Sequence, residues 1–300
     1  MGIVGPPRFE LKSIAPEVRQ GTLLPSIRAD KIEEYMALRK LNGICDRWFY
    51  QTEDILIKYL EFVGHKIDLK KTLEYIQDLK DNLSLSTYRK RTYAIRKFLK
   101  FLNVEWANQL HPPPEQKYIP IHVPQEQILQ ALEYFKDSPY YLQVSALIHL
   151  GKDSGARPEE LYQLTLEDID LDNRSIHIIH NIKKGKTTKN KVSRISFFTP
   201  ETKKVLEEYI TFYKNGFQLR DLFGQSHLTR LFRPSPIKIK LLRKFFSQQW
   251  TRRDGNSSVK AILMGHSNRN NVDLTHYNAQ SEEDLKRIYD RVMLKHTLKC

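Results

Sequence analysis

Apolar residues recur at helical spacing through the first third of the chain. Two sets show the pattern: Ile32, Tyr35 and Met36, and then Leu73, Ile76 and Leu79. Residues three or four positions apart share one face of a helix, so residues 30–66 and 69–105 are predicted to be helical. Residues 1–28 contain Pro and Gly without such periodicity, and they are predicted to form a loosely ordered lead-in.

Prolines separate this helical part from the rest of the chain. Three of them occupy positions 112–114, and two more follow before residue 125. Proline cannot continue a helix and favours extended polyproline structure. We therefore predict that residues 109–123 link a helical domain, 29–108, to a larger domain, 124–300.

A short antiparallel sheet is predicted inside the larger domain. Residues 175–180 and 192–198 have the composition of strands. The segment 183–191 between them contains Gly185 and five lysines, which is typical of a cationic hairpin. The predicted fold class is mainly α with a small antiparallel β-sheet, in two domains.

One predicted helix, residues 86–102, is amphipathic and strongly basic. Its apolar side chains fall near one face, while the other side carries arginines and lysines. Such a helix can pack on a core and present cations to phosphates. We select four of these cations as candidate DNA contacts: Arg89, Lys90, Arg96 and Lys97. A solvated basic face is common, so this segment alone decides little.

The charge balance indicates a polyanionic partner. Lys and Arg number 49 against 35 Asp and Glu, giving a net charge of +14. This favours nucleic acid over an anionic membrane surface. With only Cys45 and Cys300, a disulfide framework and a cysteine-ligated zinc site are excluded. The chain has neither an apolar run of about 20 residues nor a signal-like N-terminus, so a cytoplasmic, nucleoid-associated location is predicted.

Two short motifs in the second domain contain candidate phosphate-binding cations. Arg157 precedes Pro158, which suits the first position of a helix, and a guanidinium fixed there can hold two phosphate oxygens. Lys240 and Arg243 are three residues apart, so they share a face of a predicted helix. The simpler interpretations are a surface pair between Arg157 and Glu160 and an ordinary basic helix face.

Two further groups follow in the chain. His266 lies just beyond a short helix that Gly265 is predicted to end, where it could donate a hydrogen bond or a proton. Tyr277 is a candidate nucleophile, but a tyrosine hydroxyl has a pKa of about 10 and needs nearby cations. Most tyrosines are packing residues, and Tyr289 is predicted to be one of them.

Together these motifs resemble those of the tyrosine recombinases, the family of phage integrases and of Cre-like and Xer-like enzymes. Residues 155–161 look like the family's first arginine box, and 241–246, 263–267 and Tyr277 look like the second. The resemblance covers roughly residues 124–290. The first domain matches the family's core-binding domain in kind only, and the resemblance implies that the second is a mixed α/β catalytic domain.

The resemblance implies a site-specific DNA recombinase that integrates or excises DNA. Tyr277 would attack a DNA phosphate and form a 3′-phosphotyrosine link, while Arg157 and Arg243 would stabilise the charge on the non-bridging oxygens. The covalent link stores the energy of the broken bond, so neither ATP nor a metal ion is expected. His266 would donate a hydrogen bond or act on the tyrosine's proton.

Lys240 departs from the family's pattern, which usually has His three residues before the second arginine. This departure looks more like archaeal plasmid or virus integrases. Lysine can still donate a hydrogen bond to a phosphate oxygen, but it is a point charge and a different acid from histidine.

The hairpin supplies several candidates for the lysine that protonates the leaving 5′-oxygen. Lys186 is the first choice and Lys189 the second, followed by Lys183 and Lys184. Glu160 is expected to orient Arg157 or this lysine.

The implied partner is double-stranded DNA, held in a clamp formed by the two domains. The family implies four protomers on two recombination sites, from a protein that is a monomer in solution. Residues 281–295 could pack on a neighbouring protomer or fold back on their own domain, and the sequence leaves both open.

Two other functions remain open on the sequence alone. A type IB topoisomerase would share the tyrosine chemistry but relax DNA without exchanging partners, and a two-site recombination assay would separate the two. A non-catalytic DNA-binding protein on a recombinase scaffold is kept open by Lys240. Covalent trapping of DNA would exclude it.

Overall fold

The computed structural model describes four parts of the chain: residues 30–115, 119–215, 222–266 and 280–294. The chain divides into two compact units, Met1–Ile119 and Pro120–Cys300. This division lies within the proline-containing segment 109–123. The predicted lead-in, residues 1–28, lies outside the described residues.

The described part of the first unit is built from α-helices. They are α1 (Asp30–Leu41), α2 (Asp46–Val63), α3 (Leu69–Asn82) and α4 (Leu85–Phe101). Both ranges predicted to be helical therefore contain a break. The first break is at Gly43, whose φ of 78° is left-handed and suits glycine. The helices pack on a core that includes Ile95, Phe98 and Leu99, which are fully buried on α4.

The second unit combines helices with a small sheet. Its described helices are α5 (Gln125–Tyr134), α6 (Tyr141–Ser154), α7 (Pro158–Tyr162), α8 (Pro200–Asn215), α9 (Gln225–Leu231), α10 (Ile239–Arg252), α11 (Ser257–Met264) and α12 (Glu282–Leu294). The described strands are β1 (Ile169–Asp170), β2 (Ser175–Ile178) and β3 (Arg194–Phe197), in the order β1-β2-β3. Both pairings are antiparallel, with Ile176 opposite Ile169 and Ser196. The predicted fold class is confirmed, although β1 is too short for periodicity to reveal.

Two apolar clusters stabilise the second unit. In the larger one, α6 packs against both α8 and α10, and most residues of α6 are buried. The smaller one joins β3, α10, α11 and α12 around Trp250 and Tyr289. Tyr289 is fully buried, which confirms its prediction as a core residue. Its hydroxyl also donates to the carbonyl oxygen of Asp153 at 3.0 Å.

Helix α12 packs on its own unit. Its apolar side chains Leu285, Tyr289, Val292 and Met293 are buried against β3, α10 and α11. The described residues of the segment 281–295 therefore fold back in cis, the second of the two arrangements that the sequence left open.

Candidate active site

The candidate site is built where helices α6 and α11 end and α7 begins. Gly155 follows α6 with φ 63°, and Gly265 follows α11 with φ 62°. Both sites require glycine for space as well as for backbone conformation. A Cβ at Gly155 would lie 2.3 Å from the Phe246 ring, and a Cβ at Gly265 would lie 2.8 Å from Arg194 Cδ. The backbone therefore approaches these side chains closely, and Arg157 starts α7 beside them.

Three guanidiniums meet at the C-terminal end of α11. They donate to three consecutive carbonyl oxygens: Arg194 Nε to Leu263 (2.9 Å), Arg243 Nη2 to Met264 (2.8 Å) and Arg157 Nη2 to Gly265 (3.3 Å). The last carbonyls of a helix lack intrahelical partners and carry the negative end of its dipole. The helix end thus fixes cations that come from three other elements. We call Arg157, Arg194 and Arg243 the arginine cluster.

Glu160 on α7 is the carboxylate of this site. Its two oxygens accept from the Arg157 backbone N–H (2.7 Å), from Arg157 Nη1 (2.9 Å) and from Arg194 Nη1 and Nη2 (3.0 and 2.6 Å). Burial alone would raise the pKa of Glu160, but the hydrogen bonds and charge of Arg194, followed by those of Arg157, hold it below its usual range. Glu160 is therefore ionised and orients both arginines.

The arginine cluster carries surplus positive charge. Within the described residues, Glu160 is the one acidic side chain that forms ion pairs with the cluster. Burial, followed by repulsion from Arg157 and Arg194, lowers the pKa of Arg243 to about 10, so its guanidinium stays charged near neutral pH. Arg243 Nη1 also donates to Gly155 O at 2.6 Å. Three fixed cations facing one carboxylate suit the binding of an anion.

Lys240 and His266 are close in sequence to residues of the site. Lys240 is three residues before Arg243, and His266 directly follows the glycine that ends α11. Lys240 is exposed on the first turn of α10, one turn before Arg243. His266 is only partly exposed, and its backbone N–H donates to Ala261 O at 2.9 Å. Partial burial lowers the pKa of His266, and repulsion from Arg243 and Arg157 lowers it further. The imidazole is therefore neutral near pH 7 when no anion is bound.

The structure places the hairpin lysines differently from one another. Lys186 pairs with buried Asp168, and its Nζ also lies 3.2 Å from Thr165 Oγ1. Lys189 is exposed, as are Lys183 and Lys184. Two of the three donors of the Lys186 ammonium are thus engaged, by Asp168 and Thr165.

The hairpin contacts the cluster through a residue that the sequence did not single out. Asn190 Nδ2 donates to Gly265 O at 2.7 Å, the carbonyl that also accepts from Arg157. The C-terminal arm of the hairpin is thereby held against the end of α11.

Arg194 is a second residue of the site that the sequence motifs do not indicate. It is a lone arginine in a predicted strand whose neighbours Ile195 and Phe197 are buried. A cation in a half-apolar strand is a signal of a specific partner, but the sequence could not identify Glu160 as that partner. Tyr277 lies outside the described residues.

The four cations selected on α4 fall into two kinds. Arg89 donates to Pro113 O, and Arg96 donates to Ala107 O (3.4 Å) and Asn108 O (3.2 Å). These two arginines attach the segment that follows α4, including the 3-10 turn Glu105–Asn108, to the helix. Lys90 is exposed, and Lys97 Nζ lies 4.7 Å from the centre of the Tyr93 ring.

Metal sites and membrane-spanning helices are both absent from the described residues. No group of three or more His, Cys, Asp or Glu side chains there could hold a metal ion. None of the described helices is long and apolar enough to cross a membrane.

Residues 122–284 match the model of the phage integrase family. This range contains every candidate chemical residue of the second unit. In sequence, the chain is 29% identical over 214 residues to tyrosine recombinase XerA of Saccharolobus solfataricus, covering 69% of this chain and 68% of that protein.

Solved structures support the fold. A lambda integrase (75–356) dimer bound to a COC′ core site matches 84% of this chain and 98% of its own, with TM-score 0.64 and 11% identity. A lambda integrase tetramer bound to a Holliday junction matches 83% of this chain and 76% of its own, with TM-score 0.62 and 11% identity. At these identities the likeness concerns the fold.

Proposed function

This chain belongs to the phage integrase family, and from that premise we propose that it recombines DNA site-specifically through a covalent tyrosine intermediate. Tyr277 attacks the scissile phosphorus, and the bond from phosphorus to the 5′-oxygen breaks. The products are a 3′-phosphotyrosine and a free 5′-hydroxyl. The 5′-hydroxyl of a partner strand then attacks the phosphotyrosine, which releases Tyr277 and joins the exchanged strands.

The arginine cluster is the observation that carries this proposal. Its cations are held in place before any substrate arrives, and among the described residues they outnumber the one carboxylate that pairs with them. Fixed donors of this kind stabilise charge that develops on the non-bridging oxygens without reorganising during the reaction. Arg157 and Arg243 are assigned this role.

Lys240 and His266 are proposed to add hydrogen bonds to the phosphate. Lys240 is exposed one helical turn from Arg243, so its flexible stem can follow a bound oxygen. His266 is neutral without an anion because the arginines repel a further positive charge. A bound phosphate cancels part of that repulsion, so it favours a protonated His266 that can donate.

A hairpin lysine is proposed to donate the proton that the leaving 5′-oxygen needs. Lys186 remains the first assignment and Lys189 the second. For Lys186, the ammonium that pairs with Asp168 would also have to contact the leaving oxygen when DNA enters the site. Glu160 acts as a supporting residue that orients Arg157.

The proposed partner is duplex DNA, contacted by both units. The lambda integrase neighbours are bound to a core site and, as a tetramer, to a Holliday junction. By analogy, four copies of this chain would assemble on two recombination sites, from a protein that is monomeric in solution. Lys90 and Lys97 on α4 are the proposed phosphate contacts of the first unit, with Arg89 and Arg96 acting mainly on the loop.

Trapping on a nicked suicide substrate tests the proposal. A nick beside the cleavage site lets the short fragment that carries the new 5′-hydroxyl diffuse away. Religation is then prevented, so the covalent complex accumulates. We expect a complex that survives denaturant, is absent for Tyr277→Phe, and maps to the peptide containing Tyr277. Equal trapping by both proteins, or trapping by neither, would refute the assignment.

A further inference from the structure

We propose that Arg194 is a positioning residue of this site, which holds Glu160 in register with Arg157 and ties the lysine-rich hairpin to the arginine cluster. The inference rests on the proposed function, since it assigns a part in the same reaction. Arg194 does not belong to either arginine box that the sequence revealed.

The geometry of Arg194 uses the full shape of a guanidinium. Its side chain is only 6% exposed at the start of β3. Nη1 and Nη2 form a two-pronged pair with the oxygens of Glu160, while Nε donates to Leu263 O. A planar fork can satisfy these directions together, whereas a lysine ammonium is a single point of charge. With three donors engaged and little exposure, Arg194 acts through its partners.

Glu160 passes this constraint on to Arg157. The same two carboxylate oxygens that bind Arg194 accept from the side chain and the backbone N–H of Arg157. If Arg194 were lost, Glu160 would be a buried carboxylate with Arg157 as its remaining ion-pair partner. The carboxylate would then move towards Arg157 and compete with a phosphate for its guanidinium.

Gly265 gives Arg194 the space it needs. The Cβ of any other residue there would lie within 2.9 Å of the Arg194 Cδ, Nη1 and Cζ atoms. Because the Gly265 carbonyl also accepts from Arg157 and Asn190, the packing of Arg194 fixes the acceptor that those two share. The hairpin residue Asn190 precedes β3 by a few positions, so Arg194 anchors both the hairpin and the cluster.

The test measures covalent complex formation on the nicked substrate, DNA affinity and thermal unfolding for four variants: Arg194→Gln, Arg194→Lys, Glu160→Gln and the double variant Arg194→Gln/Glu160→Gln. A displacement of about 1 Å at a reacting centre can cost about 100-fold in rate. We expect Arg194→Gln to slow cleavage by about that factor, while the Kd for DNA changes less than about threefold. Arg194→Lys should cleave faster than Arg194→Gln but more slowly than the wild type.

The double variant separates positioning from general stabilisation. If Arg194 acts through Glu160, removing Arg194 from the Glu160→Gln background costs little further rate, because interacting residues are not additive. The matched control is Arg174→Gln, which breaks a partly buried ion pair with Asp290 in the same unit but outside the cluster. It should lower thermal stability without the same loss of cleavage.

Additive rate losses in the double variant would overturn the proposal. It would also fail if Arg174→Gln slowed cleavage as much as Arg194→Gln at a similar loss of stability. Should Arg194→Gln not fold, Arg194→Lys and its combination with Glu160→Gln carry the same comparison. A wild-type protein that traps no DNA contradicts the proposed function instead, so the two failures are distinguishable.

Discussion

The cations of the arginine cluster and those of helix α4 are held in opposite ways. In the cluster, each guanidinium has fixed acceptors on the end of α11, and Glu160 pairs with two of the three. On α4, Arg89 and Arg96 hold the segment that follows the helix, and Lys90 is exposed.

This difference teaches what each region can contribute to catalysis. Cations that are fixed in place before binding can favour a transition state over a ground state, because they need no reorganisation. Exposed lysines gain affinity mainly by releasing counterions from DNA, which is independent of the chemical step. We therefore expect changes in the cluster to affect cleavage and changes on α4 to affect binding.

Arg157→Ala gives the largest expected effect and tests the comparison from the cluster's side. Loss of a preorganised donor to a developing anion costs about 100-fold to 1,000-fold, so the cleavage rate on the nicked substrate should fall by at least that much. DNA affinity in a gel-shift assay should be largely preserved through the first unit. Lost binding with an equal loss of cleavage would erase the division between the two regions.

Substitution of the hairpin lysine is expected to give the next largest effect on cleavage. Lys186→Met should slow cleavage by about 100-fold, because general acids contribute on that scale. A substrate with sulfur at the 5′-bridging position has a leaving group that needs no proton, so it should restore the rate of this variant.

Lys189→Met is the matched variant in that experiment. If the sulfur substrate rescues Lys189→Met and not Lys186→Met, then Lys189 is the acid. Lys186 would in that case be a structural anchor of the hairpin on Asp168.

Lys90 and Lys97 on α4 should produce smaller effects of a different kind. Lys90→Ala and Lys97→Ala are each expected to weaken DNA binding a few-fold and to reduce the slope of log affinity against log salt by about 1. The cleavage rate of the bound complex should not change. An unchanged salt slope would show that α4 does not contact phosphate.

His266 gives the smallest and most specific prediction. Its folded-state pKa lies below 6.5 through partial burial and the nearby arginines, so the free protein protonates it only as pH falls below that value. The contribution of this group to the free energy of unfolding is therefore fully present above the unfolded pKa, and it is lost as pH falls from there through the lower folded pKa. An NMR titration should show its pKa rise when a phosphate analogue binds, and a fall would contradict an anion at this position.

The sequence predicted local features of the site better than its long-range contacts. The glycine end of α11 at Gly265 and the start of α7 after Arg157 follow from capping and proline rules, and the structure has both. The pairing of Arg194 with Glu160 joins residues 34 positions apart, and the Asn190 contact joins residues 75 apart. No periodicity encodes such contacts, because they depend on how β3 and α11 pack.

On helix α4, too, the sequence predicted the local pattern but not the contacts with other segments. Its buried apolar face was predictable from spacing, and Ile95, Phe98 and Leu99 are fully buried. The sequence did not indicate that Arg89 and Arg96 would donate to carbonyls of the following loop. Charge alone could not separate structural arginines from available lysines.

The most direct test of the arginine cluster compares Arg243→Ala with the wild type on two nicked substrates. One has an ordinary scissile phosphate, and the other has a methylphosphonate, in which a methyl group replaces a non-bridging oxygen and removes the charge. On the phosphate substrate, we expect Arg243→Ala to cleave about 100-fold to 1,000-fold more slowly than the wild type. On the methylphosphonate, the rate defect of Arg243→Ala relative to the wild type should be smaller by a factor of at least about ten. An equal defect on both substrates would contradict the claim that the cluster acts by neutralising the charge of the phosphate.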